Sequence, residues 1–513
     1  MPPVNPYLAP DTGKSSIHFD AANSDSTPHA AWLGTSTVEP KQVRFLPGNL
    51  VNVGYAFRRY PDGTETLIYS GPTSDGKVRT DGGRFDLVSV LVVPGAEAEY
   101  IEPEQMTKAL AAIDAAGSDE GKMLIPFKEL LVKAGGSAGG MYTLLDRDGF
   151  YYAPYGTKLF KIADEKANDV TSAQKLVASI DVLDKLPADY RKQVSAILGT
   201  NMTYDGYIAL AMPGLIAVTD RDFKQFWYAA IPGESVENGI AVDDKGGIYV
   251  VTSKQMRKVV WTGERLSLDV ADGAWAAPYD IGPHDSRSLS NGSGATPTLM
   301  GFGSNEDKLV VIPDAAKPVK VVAFWRDQIP ADAKPVPGAL SPRIADQIAL
   351  TIPAIGTVEW SMHVYGYGTM AMNSTFPDPV RPDEKADPRD KSWLWATLLT
   401  MADTREGPRG AEKFEWNPTT NKLERRWRNN AQLQWGLHPV SIATNTVHLA
   451  AHENGAFKLI GLDWTTGEQV AEVTLGSSRM FNVAGGFIQP LPDGDLYVSG
   501  YFGPVLIGKP ETH

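Results

Sequence analysis

The stretch from Ser235 to Lys258, SVENGIAVDDKGGIYVVTSKQMRK, constrains the fold more than any other part of the chain. Ile240 and Val242 alternate as they would on a half-buried strand, Asp244-Lys245-Gly246-Gly247 supplies a tight turn, and Ile248 to Thr252 is rich in β-branched and aromatic residues. That combination spells a β-hairpin. Weaker copies recur along the chain, each opening on a small or polar cluster and crossing a Gly, Asp or Asn turn, and recurrence at tens of residues predicts a repeat architecture.

The copies open near Gly140, Asn201, Asn238, Thr296, Glu359, His438 and Gly485, at intervals of 61, 37, 58, 63, 79 and 47 residues. These bracket the roughly 40 to 50 residues of a four-stranded propeller blade with insertions. An earlier strand pair flanks Pro61-Asp62-Gly63, so the expectation is one all-β propeller of seven or eight blades over 49–513. A helical period over 102–133 (Met106, Leu110, Ile113, then Leu124, Phe127, Leu130, Leu131) predicts two helices ended by Gly135-Gly136. A further short helical insertion is expected over 173–198, and a proline-rich surface loop over 374–391. Residues 1–48 read as irregular, a clasp lying across the larger body.

Composition excludes several classes. With 49 glycines and 37 prolines the chain is turn-rich, and 42% hydrophobic residues provide an ample core. A net charge of -13 without clustered Lys and Arg excludes a nucleic-acid groove. The absence of cysteine removes disulfides, thiolate metal sites and cysteine nucleophiles. No run approaches the roughly 18 apolar residues of a membrane span, and MPPVNPYLAPDTG lacks a signal-peptide pattern. The protein is therefore expected to be soluble, periplasmic or secreted if a signal was removed and otherwise cytoplasmic.

Two blade motifs carry resemblances. ENGIAVDDKGGIYV, from Glu237, resembles blades of the gluconolactonase, paraoxonase and strictosidine-synthase-like propellers, which implies that Asn238 binds a metal in the channel. LIGLDWTTGEQVAEVTL, Leu459 to Leu475, and the fainter FEWNPTTNKLERRW, Phe414 to Trp427, resemble the blade closures of quinoprotein-like propellers. Both imply a fold and neither a reaction.

In a propeller the innermost strands line a central channel, so residues at unit starts converge. The candidates are Asn201, Glu237, Asn238, Thr296, Thr298, Glu359, His363, His438 and Asn482. Hard oxygen donors suit Ca²⁺, and Asn238 with Asn201 and Glu359 is the expected set, since Glu237 and Asn238 point to opposite sides of a strand. Glu359, Ser361 and His363 alternate onto one face, a carboxylate, a hydroxyl and an imidazole suited to proton transfer, with His438 orienting or donating a proton. His448 and His452 share a second face. No Gly-x-Ser-x-Gly elbow, Walker loop, His-Glu-x-x-His or dinucleotide fingerprint occurs, so no nucleotide cofactor is expected, and because the paired cysteines of some quinone dehydrogenases are impossible here, neither is a quinone. The functional expectation is a hydrolase or isomerase acting on a small molecule at the channel mouth, with a non-catalytic binding scaffold as the alternative.

Overall fold

The computed structural model of the chain describes residues 1–10, 14, 16–134, 139–283, 290–353, 358–375, 380, 394–483 and 485–509. Its strands form eight sheets, most of them four-stranded antiparallel meanders, arranged as the eight blades of a propeller. The innermost strands, in blade order, are Gly54–Arg59, Leu144–Leu145, Gly199–Met202, Ala241–Val242, Thr298–Met300, His363–Tyr365, Val440–Ser441 and Ile488–Pro490.

The organising hairpin forms blade 4, and its turn shows why these residues repeat. Asp243 accepts hydrogen bonds from the amides of Lys245 (3.0 Å) and Gly247 (2.8 Å) and from the Tyr249 hydroxyl (2.6 Å), while Gly246 takes the left-handed conformation the turn requires (φ 80°). Blade 2 repeats the device: Asp146 accepts from the amides of Asp148 and Phe150 and from Tyr152, and Gly149 has φ 83°.

The ring is closed by its two ends. Val43–Phe45 pairs with Gly503–Ile507 as the outermost strand of blade 8, whose inner three strands come from the C-terminus. Blade 7 gains Ser26–Thr27 on its inner edge and Gly34–Thr37 on its outer edge, both parallel. The expectation of an irregular stretch over 1–48 is corrected by these three strands, whose partners lie more than 400 positions away.

Between these additions the N-terminal segment fills the channel. Ser16 to Phe19 and Ala21 to Thr27 are all buried. The carbonyls of Ala21, Ala22, Ser24, Asp25 and Thr27 accept hydrogen bonds from the amides of Val242 (2.7 Å), Leu299 (3.0 Å), Val364 (2.8 Å), Val440 (2.8 Å) and Ile442 (2.9 Å). The segment therefore runs past the inner strands of blades 4, 5, 6 and 7 in turn, and Phe19, Asn23 and Asp25 adopt positive φ to follow that path.

The two longest connections, 93–143 and 373–408, emerge on the face where the innermost strands begin. The first carries α1 (Pro103–Ala115) and α2 (Glu120–Lys133); the second ends in a helix of seven residues, Leu394–Thr400. Met106, Ile113, Phe127 and Leu131 bury the helical stripe against Tyr501, Phe502 and Leu398. Glu120 locks the two connections together, receiving Nε (2.8 Å) and Nη2 (2.7 Å) of Arg405. The Gly135-Gly136 stop and most of the expected 374–391 loop lie outside the described residues. Over 173–198 the expectation needs correction: Gln174–Asp181 is the outer strand of blade 2, and the helical part is confined to a 3-10 turn at Val182–Lys185 and a single α-helical turn at Ala188–Arg191. Its burial alternates residue by residue, the period of a strand edge.

Removing residues 1–28 strips five inner-strand amides of their acceptors, a loss of roughly 5 kcal/mol at about 1 kcal/mol per bond, comparable with the stability of many domains. A chain starting at residue 29 is expected to melt at a much lower temperature by circular dichroism. An unchanged melting curve would show that the segment fills the channel without supporting the ring.

Candidate functional site

The channel interior holds two of the expected catalytic residues. His363, on the inner strand of blade 6, and His438, two residues before that of blade 7, are 0% and 1% exposed, and neither imidazole makes a hydrogen bond of good geometry among the described residues. Burial lowers both pKa values, that of His438 to about 3. Beside them the N-terminal segment brings His18 and Asp25. Asp25 Oδ1 lies 3.0 Å from His18 Nδ1, Ser361 donates to Asp25 Oδ2, and Ser361 Oγ lies 3.1 Å from the same His18 nitrogen.

An Asp, a His and a Ser therefore meet, but not as a nucleophile relay. Both oxygen groups crowd one ring nitrogen, whereas a relay places them on opposite nitrogens. Burial pushes the Asp25 carboxyl up, yet His18, His363 and Ser361 hold it below its ordinary value. Lys14 is buried as well, its Nζ 3.2 Å from the Tyr55 ring centre and 3.8 Å from that of Phe487, and burial lowers its pKa well below that of a free lysine. All these groups are sealed behind the protein's own N-terminus, and a substrate reaches them only if that segment leaves.

The mouth near blade 4 contains the expected metal set. Asn238 Oδ1 accepts from the Tyr142 hydroxyl, from Thr296 Oγ1 (2.9 Å) and from the Gly239 amide (2.8 Å). Its Nδ2 donates to the carbonyls of Gly294 (2.5 Å) and Glu359 (3.2 Å). Three donors on one amide oxygen leave no lone pair for a cation. Asn201 spends its Nδ2 on the carbonyls of Ala21 (3.1 Å) and Ile240 (2.8 Å). Glu359 meets Asn238 through its backbone only, while its Oε2 accepts from Ser290 (2.8 Å). Among the described residues no group of three or more His, Asp or Glu side chains is placed to hold a metal ion.

The other candidates are placed as follows. Glu237 lies, like Asn238, in the connection before the inner strand of blade 4 and accepts from the Asn291 side chain (3.0 Å). Thr298 is buried on the inner strand of blade 5, and Asn482 donates to the Leu399 carbonyl (3.1 Å) beneath the helical cap. Glu359 and Ser361 both precede the strand that begins at His363, and of the expected row Ser361 bonds to Asp25 while His363 acts on it through charge alone. Trp360 and Trp435 pack with ring centres 4.3 Å apart.

An open site on this face is a cavity of about 840 Å³ between the end of α1 and the tops of blades 6 and 7. Arg479, 5% exposed, forms its floor: Nε and Nη2 grip Asp403 (2.7 and 3.2 Å), while Nη1 and Nη2 donate to the carbonyls of Ile113 (3.0 Å) and Gly117 (2.5 Å). Asp114, in the last turn of α1, accepts from Ser478 Oγ (2.6 Å) and from the Arg479 amide (2.9 Å). His452 and Glu453 enter the lining from the end of strand Thr446–Glu453. The His452 ring packs on Phe457, directly opposite across the hairpin, with centres 4.5 Å apart. Burial holds its pKa below that of a free histidine, against the Asp403 carboxylate and the Ala402 carbonyl, which favour the charged form. His448, on the same strand, is instead buried and within 2.8 Å of the Trp32 carbonyl.

No family model matches the chain. An uncharacterized protein of Archaeoglobus fulgidus is 30% identical over 326 residues, 60% of each sequence, so the chain spans about three fifths of that relative's length. Among solved structures the chain is similar to a europium-containing methanol dehydrogenase, with TM-score 0.51 and 9% identity over 95% of this chain and 89% of that one. It is more distantly similar to a candidate 6-phosphogluconolactonase of Bacteroides fragilis (TM-score 0.41, 12% identity, 84% and 96% covered) and to streptogramin B lyase (TM-score 0.39, 7% identity, 91% and 97% covered). What the first of these likenesses establishes is the propeller fold. No helix among the described residues is long and apolar enough to cross a membrane.

Two outcomes follow from this geometry. Because His438 stays neutral when folded and takes up a proton when unfolded, it costs the wild type about 1.4 kcal/mol per pH unit between roughly pH 6 and 4. Urea unfolding of His438→Gln should show a stability that falls less steeply over that window, and parallel slopes would mean that the imidazole titrates normally. Added calcium is expected to leave the melting temperature of chelator-treated protein unchanged, since Asn238 is saturated by internal donors. A calcium-dependent rise that Asn238→Ala abolishes would restore it as a ligand.

Proposed function

We propose that the protein is a small-molecule enzyme of the hydrolase or isomerase kind, working by acid–base chemistry in the cavity beside the channel mouth. The observation that carries this reading is the His452 imidazole, half-buried on the cavity wall and kept below its ordinary pKa. A neutral imidazole in a concave polar site is free to accept a proton and to return it. Phe457 holds the ring from behind. Asp403 is anchored by Arg479, so its charge faces the imidazolium formed at the moment of proton transfer. Glu359, His363 and His438, the residues first expected to act, are replaced in this reading by a group that solvent reaches.

The non-catalytic scaffold remains as a second reading because the channel, the usual place for a propeller's ligand, is filled by the chain's own N-terminus. Turnover decides between the two. The purified protein is assayed with esters, lactones and isomerisable sugars, beside His452→Asn. A catalytic role predicts a fall in kcat of about 10²-fold or more in the variant with an unchanged melting temperature. It also predicts a wild-type acid limb at lower pH than that of an ordinary histidine. Full activity in His452→Asn removes the residue from the mechanism, and the absence of turnover on the whole panel favours the scaffold.

A further inference from the structure

We infer that the cavity takes an uncharged, hydroxyl-rich molecule, a sugar or polyol, and rejects the phosphorylated form of the same compound. The inference rests on the proposed site and names its substrate class.

The argument is one of charge and of hydrogen-bonding character. Three carboxylates line the cavity, those of Asp114, Asp403 and Glu453, against two guanidinium groups, those of Arg409 and Arg479. Arg479 and Asp403 cancel as a bidentate pair. Arg409 is half-exposed and already directs Nε to Glu406 (3.2 Å) and Nη2 to Gln432 Oε1 (2.9 Å). The balance a ligand meets is negative, on a protein whose net charge is -13. A phosphate entering it would be desolvated against like charge, with no uncommitted cation to receive it.

Hydroxyl groups meet the opposite situation. Carboxylates accept charge-assisted hydrogen bonds from them, and the lining offers both kinds of partner: acceptors at Asp114 and Glu453, donors from the side-chain amides of Gln432 and Asn454. Apolar side chains are nearly absent from the wall, Ala402 being the exception. The wall presents polar atoms and side-chain carbon in comparable measure, a mixture that fits the hydroxyl edges and C–H faces of a sugar ring better than a uniformly hydrophobic ester. The volume of about 840 Å³ lies in the upper part of the range of ligand pockets, enough for more than one ring.

The test is binding, which His452 is not required for. Calorimetry on the full chain uses glucose, a glucose disaccharide and myo-inositol as uncharged probes, with glucose 6-phosphate as the anionic control and spermidine as the cationic one. At least one uncharged probe is expected to bind, with glucose 6-phosphate weaker by tenfold or more. Glu453→Gln should weaken the uncharged probe about tenfold while narrowing the gap to the phosphate, because it replaces a charged acceptor with a weaker neutral one and removes a repulsive charge. Glucose 6-phosphate binding as tightly as glucose, or spermidine alone binding, overturns the substrate class. Failure of every uncharged probe overturns it equally. Sugar binding that persists in His452→Asn with full turnover would instead overturn the catalytic reading and leave the substrate class standing.

Discussion

The structure depends on how the inner edges of its blades are satisfied. A propeller leaves the innermost strand of every blade with unpaired amides facing the axis, and a narrow channel supplies little water to meet them. Here five consecutive contacts to the carbonyls of Ala21, Ala22, Ser24, Asp25 and Thr27 serve the strands of blades 4 to 7. Side chains reinforce the arrangement from both directions. Asn201 reaches the Ala21 carbonyl, Asn23 reaches the Pro297 carbonyl (3.0 Å), and Ser26 reaches the Val364 carbonyl (2.8 Å). Because buried backbone groups are almost always paired, this segment belongs to the core, although its composition is that of a loop.

Filling the axis moves the accessible chemistry outward. The histidines that face the channel are sealed, and the helical cap forms a new concave surface where α1 meets blades 6 and 7. That wall is held by Arg479, a buried cation whose donors reach Asp403 and two carbonyls at the end of α1 and beyond it. Removing one partner of such a group leaves an uncompensated buried charge, so the floor of the cavity and the seat of the cap are the same interaction.

Much of the fold was legible because it is local. The turn of Asp243, Gly246 and Tyr249 is complete within seven residues, and the unit starts read from sequence lie within about four residues of the inner strands, as with His438 before Val440 and Thr296 before Thr298. The three N-terminal strands were illegible because their partners are at the other end of the chain, and two- to four-residue strands carry no periodicity. Gln174–Asp181 misled because its apolar residues fit a helical spacing, although its exposure alternates residue by residue as on a strand edge. For the site, proximity to a unit start singled out polar residues that tie the ring together, Asn201 and Asn238 among them. His452 was visible only as a companion of His448 on one strand face. Its importance comes from α1 and from Asp403, which sequence adjacency does not reveal.

The pairing of Val43–Phe45 with Gly503–Ile507 sets the order in which the chain reaches its final form. A ribosome adding about 5–20 residues per second exposes the first of these strands tens of seconds before its partner exists. Through that interval Ser26–Thr27, Gly34–Thr37 and Val43–Phe45 are unpaired edges outside the tunnel, and blades 1 to 6 can close on one another without them. The segment HFDAANSDSTPH is dense in Asp, Asn, Ser and Pro, residues poor at pairing edge to edge with a neighbouring chain. Its polarity, which looks misplaced at the centre of a folded ring, is what allows it to wait there in solution until the last blade arrives.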